Sequence, residues 1–202
     1  MKIALLDYGA GNLASVRKGL AAVGAEVYVP GTPPELVHAQ AVVVPGVGHF
    51  AETASLDETW RAGLLEGVRA GRPLLGICLG MQWLFDGSEE APGVSGLGVL
   101  PGTCFRLEVA RPLKVPHVGW NRLAPTRLSP LLEGIPDNAY CYFTHSYAAP
   151  VTADAVATSV HGARFASAVE SGPVWGVQFH PEKSGDTGLC ILRNFARLVS
   201  AG

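Results

Sequence analysis

The sequence predicts an α/β fold: an open, mostly parallel, twisted sheet with helices on both faces and a small antiparallel extension. Three observations carry this. Short apolar runs of strand length recur, many rich in β-branched residues and followed by turn residues; helical patterns stand between them; and a stretch from about 94 to 150 breaks the rhythm with frequent proline and glycine. Strands that alternate with helices imply parallel pairing, because a parallel neighbour is reached only through a long crossover.

The elements follow in order. KIALLD (2 to 7) opens as a strand, Asn12 to Val23 has helical periodicity, and EVYV (26 to 29) returns to extended chain. AVVVP (41 to 45) is an uninterrupted apolar run, as a strand covered on both faces must be. Ser55 to Ala70 is a long helical pattern. PLLGI (73 to 77) is a further strand, leading into a helix over Leu79 to Phe85, and VWGVQF (174 to 179) closes the series. From 94 to 150, TCFRLEV reads as a short strand among the loop-like VPHVGWN (115 to 121) and CYFTHSY (141 to 147), an antiparallel extension of the same domain. No repeat, low-complexity linker or break in composition divides the chain, so residues 1–202 are expected to form one domain.

Composition narrows the function. The chain is 48% hydrophobic and 16% charged, yet no stretch reaches the ~18 uninterrupted apolar residues of a membrane span. A net charge of -2 and the absence of Lys/Arg runs leave no footprint for nucleic acid or anionic lipid, so the expected partner is a small molecule or a protein. MKIALLDYG is too short an apolar start for a signal peptide, which points to the cytoplasm. Cys78, Cys104, Cys141 and Cys190 lie far apart with no C-x-x-C pair, against both a zinc site and a disulfide framework.

Ligands of open α/β sheets bind beyond the carboxyl ends of the strands. The unusual residues collect there: Asp7-Tyr8-Gly9, PGVGHF, GICLG and QFHPEKS each follow a strand pattern directly. Gly76-Ile77-Cys78-Leu79-Gly80 has the form of a nucleophile elbow with sulfur in place of the serine oxygen, its central residue strained and its glycines relieving the crowding. A helix beginning at Leu79 turns its amides toward the sulfur and favours the thiolate. A buried structural cysteine in a glycine-rich turn is the alternative this pentapeptide leaves open. Near the other end, Pro181 biases His180 toward extended chain, where positions two apart face the same way, so His180 and Glu182 share a face. Histidine can take a proton from the cysteine and return it to a leaving amine, while a carboxylate on its other nitrogen holds it in register. Together they make a Cys78, His180, Glu182 triad. The developing oxyanion needs donors: the Leu79 amide, and a second from the Pro45-Gly46-Val47-Gly48 turn, at Val47 or Gly48, where glycine permits close approach and a peptide flip.

Jointly, PGVGHF, PLLGICLGMQ and QFHPEKS resemble the class I, or triad, glutamine amidotransferases, flavodoxin-like proteins that hydrolyse the side-chain amide of glutamine and release ammonia. DYGAGN (7 to 12), VPHVGWN, YFTHSY (142 to 147) and EKS are similar to the glutaminase subunits of imidazole glycerol phosphate synthases, and the resemblance runs from end to end. It implies Cys78 as nucleophile, His180 as general base then acid and Glu182 as its orienting carboxylate. Gly48, Gln82 and Glu90 fall on positions that hold L-glutamine, with Ser146 and Tyr147 helping from the YFTHSY loop. Gln82 and Glu90 otherwise read as a solvent-facing helix residue and a charged helix end. No role falls to His49, and His117 and His145 are expected to serve loop packing or the subunit contact. No cofactor or metal is implied.

The resemblance also implies a partner. Ammonia released into water is protonated, and the sequence ends twenty residues past Glu182, so the acceptor is expected on another polypeptide. In the family this is a (β/α)8-barrel cyclase subunit, which makes imidazole glycerol phosphate in histidine biosynthesis; a 1:1 heterodimer is expected. Tyr8, Asn12, Trp120 and Asn121 are the interface candidates, since the family sets the DYGxGN and PHxGWN loops around the triad mouth, and exposed tryptophan is a frequent anchor. Trp120 as a core residue is the alternative. Competing readings are a class I amidotransferase of a chorismate, purine or pyridoxal pathway, a stand-alone cysteine hydrolase, and a non-catalytic binding subunit.

Overall fold

The computed structural model describes residues 1–201. In chain order, β1 (Lys2–Leu5), α1 (Leu13–Ala22), β2 (Glu26–Tyr28), β3 (Ala41–Val44), α2 (Glu58–Arg69), β4 (Leu74–Ile77) and α3 (Leu79–Trp83) are followed by short strands. These are β5 (Gly87–Ser88), β6 (Thr103–Arg106), β7 (His117–Arg122), β8 (Ala124–Pro125), β9 (Tyr140–His145) and β10 (Tyr147–Ala148). Two long strands, β11 (Ala155–His161) and β12 (Ala163–Ser171), then β13 (Val174–Val177) and α4 (Gly185–Ala201) complete the chain.

The main sheet has eight strands in the order β2-β1-β3-β4-β13-β12-β11-β8. Pairing is parallel from β2 to β13 and antiparallel beyond. Side chains alternate across it. Ile3, Leu5, Val43, Leu75 and Ile77 point to one face and pack with Val16 and Leu20 of α1 and Leu192 and Phe195 of α4. Ala4, Leu6, Val42, Val44 and Leu74 point to the other, against Leu64 of α2 and Leu79 and Met81 of α3. Burial on both faces is why these strands read as continuous apolar runs. The expected α/β fold with a mostly parallel sheet is the observed one. Among the described residues, no helix is long and apolar enough to cross a membrane.

Three expectations change. The antiparallel part of the main sheet lies mostly in β11 and β12, beyond the 94 to 150 region, which instead supplies two strands of a three-stranded sheet β10-β6-β5 and a separate β7-β9 ribbon. VPHVGWN and CYFTHSY are therefore paired strands rather than loops, with His117 opposite His145 and Trp120 opposite Tyr142. On β7 the inward His117 and Asn121 are held by hydrogen bonds, and on β9 the inward Cys141 and Phe143 are followed by His145, so polar residues interrupt any apolar alternation. The helix expected to reach Phe85 stops at Trp83, because amides of residues 97 to 100 take the carbonyls of Trp83, Leu84 and Phe85. The sequence reading also passes over α4, whose apolar stripe packs on one face of the sheet.

Neighbouring strands β1, β3, β4 and β13 end at one edge of the sheet. The segments 7 to 12, 45 to 48, 78 to 80 and 178 to 184 consequently meet there. The register of β4 on β13 pairs Gly76 with Gly176 and Ile77 with Val177, which brings Cys78 and Gln178 level at the sheet edge.

Candidate active site

Cys78 leaves β4 with φ 54 and ψ -108, a region L-residues avoid. Such a conformation costs on the order of 1–3 kcal/mol and persists only when its surroundings impose it. Here the Cys78 amide is tied to the Val177 carbonyl at 2.8 Å, and the chain turns straight into α3. A Cβ on Gly76 would lie 2.6 Å from the Gly80 carbonyl oxygen, and one on Gly80 would lie 1.8 Å from that of Val44. Only glycine fits either position. α3 is five residues long, so its dipole is a weak substitute for direct donors to the sulfur.

The last parallel strand, β13, delivers His180 and Glu182 beside this elbow. His180 Nδ1–H donates to Glu182 Oε1 at 2.8 Å, with both side chains 1% exposed. His180 Nε2 and Glu182 Oε2 are buried without a hydrogen-bond partner among the described residues. Burial alone lowers the pKa of the imidazole, but the adjacent Cys78 sulfur and the Glu182 carboxylate outweigh it and raise the value above the ordinary one. Two residues outside the sequence-level triad brace it. Asn12, at the start of α1, donates its side-chain amide to Glu182 Oε1. Ser184 donates to the His180 carbonyl at 2.6 Å and accepts from the Tyr142 amide at 3.0 Å, pinning the turn to β9. The serine lies within the EKS run of the sequence; nothing local marks its double contact.

A cavity of about 190 Å³ opens over the sulfur, and Val47, Gly48, Leu79, Gln82, Glu90, Ser146 and Tyr147 all line it. Gln82 is buried rather than solvent-facing, donating Nε2 to the Tyr147 carbonyl at 2.8 Å and to Gln178 Oε1 at 3.1 Å. Its own Oε1 makes no hydrogen bond among the described residues. Glu90 follows β5 instead of ending a helix, and accepts the Phe50 amide at 2.8 Å.

Of the expected oxyanion donors Leu79, Val47 and Gly48, the first two are engaged elsewhere. The Leu79 amide donates to the Gly46 carbonyl at 3.3 Å, and the Val47 amide to the Ala10 carbonyl at 2.6 Å. Both bonds belong to the single Gly46–Val47 peptide unit. Tyr8 donates its hydroxyl to the neighbouring Pro45 carbonyl at 2.6 Å and lies against Gly46, where a Cβ would meet Oη at 2.2 Å.

Of the four interface candidates, only Trp120 turns its side chain outward; it is 56% exposed and sits edge-on to Tyr142, whose ring lies 5.8 Å from Lys183 Nζ. Tyr8, Asn12 and Asn121 point their polar atoms into the protein. His117 and His145 are buried in the β7-β9 ribbon, and their tautomers follow from one carbonyl. The Tyr147 oxygen can only accept, so His145 offers it Nδ1–H at 2.8 Å. His145 Nε2 then accepts His117 Nδ1–H at 3.0 Å, and His117 Nε2 accepts from Asn121 Nδ2 at 3.2 Å. Burial pushes His145 down to about 3; burial, and then the nearby His161, push His117 down to about 4. Both are neutral packing residues.

The model of the family described as glutamine amidotransferase class-I matches residues 4–198. The chain is 49% identical over 197 residues to the imidazole glycerol phosphate synthase subunit HisH of Xanthomonas euvesicatoria pv. vesicatoria, with 97% of each chain covered. It is 47% identical over 200 residues to subunit HisH of Deinococcus radiodurans, covering 97% of this chain and 93% of that one. PurLQS of Thermotoga maritima shares the fold, with a TM-score of 0.76 over 97% of both chains at 18% identity. The chain belongs to the class I glutamine amidotransferase family, among the HisH subunits of imidazole glycerol phosphate synthase.

Proposed function

We propose that the chain, as one domain over residues 1–202 acting in the cytoplasm, hydrolyses L-glutamine to glutamate and ammonia. The ammonia passes to a (β/α)8-barrel cyclase subunit that makes imidazole glycerol phosphate in histidine biosynthesis. The observation that carries this is the open Nε2 of His180, held by Glu182 beside a strained cysteine at the floor of an amino-acid-sized cavity.

The proton of Cys78 moves to His180 Nε2, and the sulfur attacks the side-chain amide carbon of glutamine. The imidazolium returns that proton to the departing nitrogen, which leaves as ammonia from a thioester. Water, deprotonated by His180, then opens the thioester and releases glutamate. Glu182 keeps the imidazole in the tautomer that does this. Glutamine's ammonium group is a triple donor, and the unpaired Gln82 Oε1 and the Glu90 carboxylate are acceptors that suit it.

Turning over the Gly46–Val47 peptide would release the Leu79 amide and aim the Val47 amide at the cavity, so one motion supplies both oxyanion donors. Docking of the ligand-bound cyclase against Trp120 and the loops around the triad is the trigger. Ammonia delivery requires such a complex, of one chain with one cyclase. Purified chain mixed with the cyclase tests this. Cys78→Ala removes glutamine-dependent synthesis by more than about a thousandfold while synthesis from added ammonia persists. Equal glutamine hydrolysis with and without the ligand-bound cyclase would instead favour a stand-alone hydrolase.

A further inference from the structure

Among the described residues, the Cys78 sulfur has two hydrogen-bonding neighbours apart from His180: the Thr144 carbonyl at 3.8 Å and the side-chain amide of Gln178 at 3.6 Å. Gln178 is fully buried. Which of its two amide atoms faces the sulfur follows from a fixed point, the Tyr147 carbonyl, which can only accept. Gln82 must therefore turn Nε2 to it, and that same nitrogen lies 3.1 Å from Gln178, whose facing atom must be the oxygen. With Oε1 engaged there, Gln178 has only an N–H to offer the sulfur. Reversing Gln178 alone would oppose two donors; reversing both amides would set the Gln82 oxygen against a carbonyl.

We propose that Gln178 is a further catalytic residue, its side-chain N–H holding the Cys78 sulfur and favouring the thiolate, with its orientation imposed through Gln82 by the Tyr147 carbonyl. In the thiol, the S–H can donate to Thr144 while the sulfur accepts weakly from Gln178. Once the proton has moved to His180 Nε2, the Thr144 contact is lost and the Gln178 bond becomes charge-assisted, roughly twice as strong as a neutral one. The Gln178 protons stay on nitrogen throughout. Strand register makes the contact intrinsic to the fold, since Ile77 pairs with Val177 and the next residues on the two strands are Cys78 and Gln178. A five-residue α3 leaves the sulfur in need of such a donor. The consequence for turnover rests on the glutaminase reading; the contact itself does not.

Gln178→Met keeps the length of the side chain and removes the donor. In the full chain, iodoacetamide alkylation of Cys78, followed by mass spectrometry across pH, is expected to slow about tenfold at neutral pH and to shift its profile upward. With the cyclase, kcat for glutamine is expected to fall by a similar factor with KM within about twofold. Gln178→Glu, similar in shape but anionic, is expected to slow alkylation further. An unchanged alkylation profile in Gln178→Met overturns the proposal. Should the variants fail to fold, side-chain amide NMR of the parent protein decides: the Gln178 signal is expected to move as Cys78 ionises and to lose that response in Cys78→Ala, and an indifferent signal overturns the proposal. Gln178-dependent alkylation in a chain that never hydrolyses glutamine beside its cyclase upholds the assignment and sinks the glutaminase reading instead.

Discussion

Two neighbouring regions bury histidines and treat them in opposite ways. In the β7-β9 ribbon, both ring nitrogens of His117 and both of His145 are paired, in a chain whose direction the Tyr147 carbonyl sets. At the end of β13, His180 has a carboxylate on Nδ1 and, among the described residues, no hydrogen-bond partner on Nε2, with the Cys78 sulfur nearby. Burial lowers all three, yet only at His180 do an adjacent sulfur and carboxylate reverse the result. Burial therefore does not distinguish a packing histidine from a proton carrier. What each nitrogen faces does.

Glu182→Gln tests the contrast most severely. It preserves shape and removes the charge, leaving His180 closer in character to His117, and kcat for glutamine is expected to fall on the order of a thousandfold with the cyclase present. A loss under about tenfold would show that the carboxylate does not set the role of His180.

The two regions also carry opposite pH signatures. His117 and His145 titrate near 4 and 3 when folded, against 6.5 ordinarily. Below pH 6.5 the unfolded chain takes up protons that the native one refuses, so their contribution is intact above 6.5 and erodes as pH falls toward 4 and 3, by at most roughly 1.4 kcal/mol per pH unit for each ring. His180, raised when folded, contributes fully below its ordinary value of 6.5 and loses that contribution as the pH climbs through its folded value. Urea midpoints at neutral and mildly acidic pH measure the first effect. His145→Gln retains a donor for Tyr147 but cannot be protonated, and is expected to shrink the acid loss; an undiminished loss would place the sensitivity elsewhere.

The smallest effect concerns a donor already engaged. Tyr8 bonds to Pro45 beside the peptide that would have to turn, and Tyr8→Phe removes that bond, worth about 1 kcal/mol. Glutaminase activity of the isolated chain is expected to rise about fivefold, with little change in the complex. A fall instead would mean that Tyr8 supports the active orientation of the turn.

Much of the architecture could be read before any coordinates. The strands β1, β3, β4 and β13 stand out because each buries both faces and so has an apolar run ended by turn residues. The elbow is legible for a related reason, since Gly76 and Gly80 stand where any Cβ would collide with backbone. The β7-β9 ribbon was not legible. Its inward side chains mix polar with apolar, His117 and Asn121 on β7 with Cys141, Phe143 and His145 on β9, and the polar ones are satisfied by one another and by the Tyr147 and Val160 carbonyls, which interrupts the apolar signal. Tyr8 and Asn12 after β1 and Asn121 on β7 read as interface residues, yet their polar atoms turn inward, which depends on acceptors more than thirty residues away in the chain.

Sequence alone determined which chemical groups this protein has and at which strand ends they stand, because local patterning and steric demands are written in neighbouring residues. Only the tertiary structure decided which nitrogen or amide each group faces: that His180 is open and His145 closed, that the Gly46–Val47 peptide engages the Leu79 amide and the Ala10 carbonyl, and that Gln178 addresses the sulfur. Hydrogen-bond direction is set by partners distant in sequence, and it is those partners that separate a reactive group from a structural one.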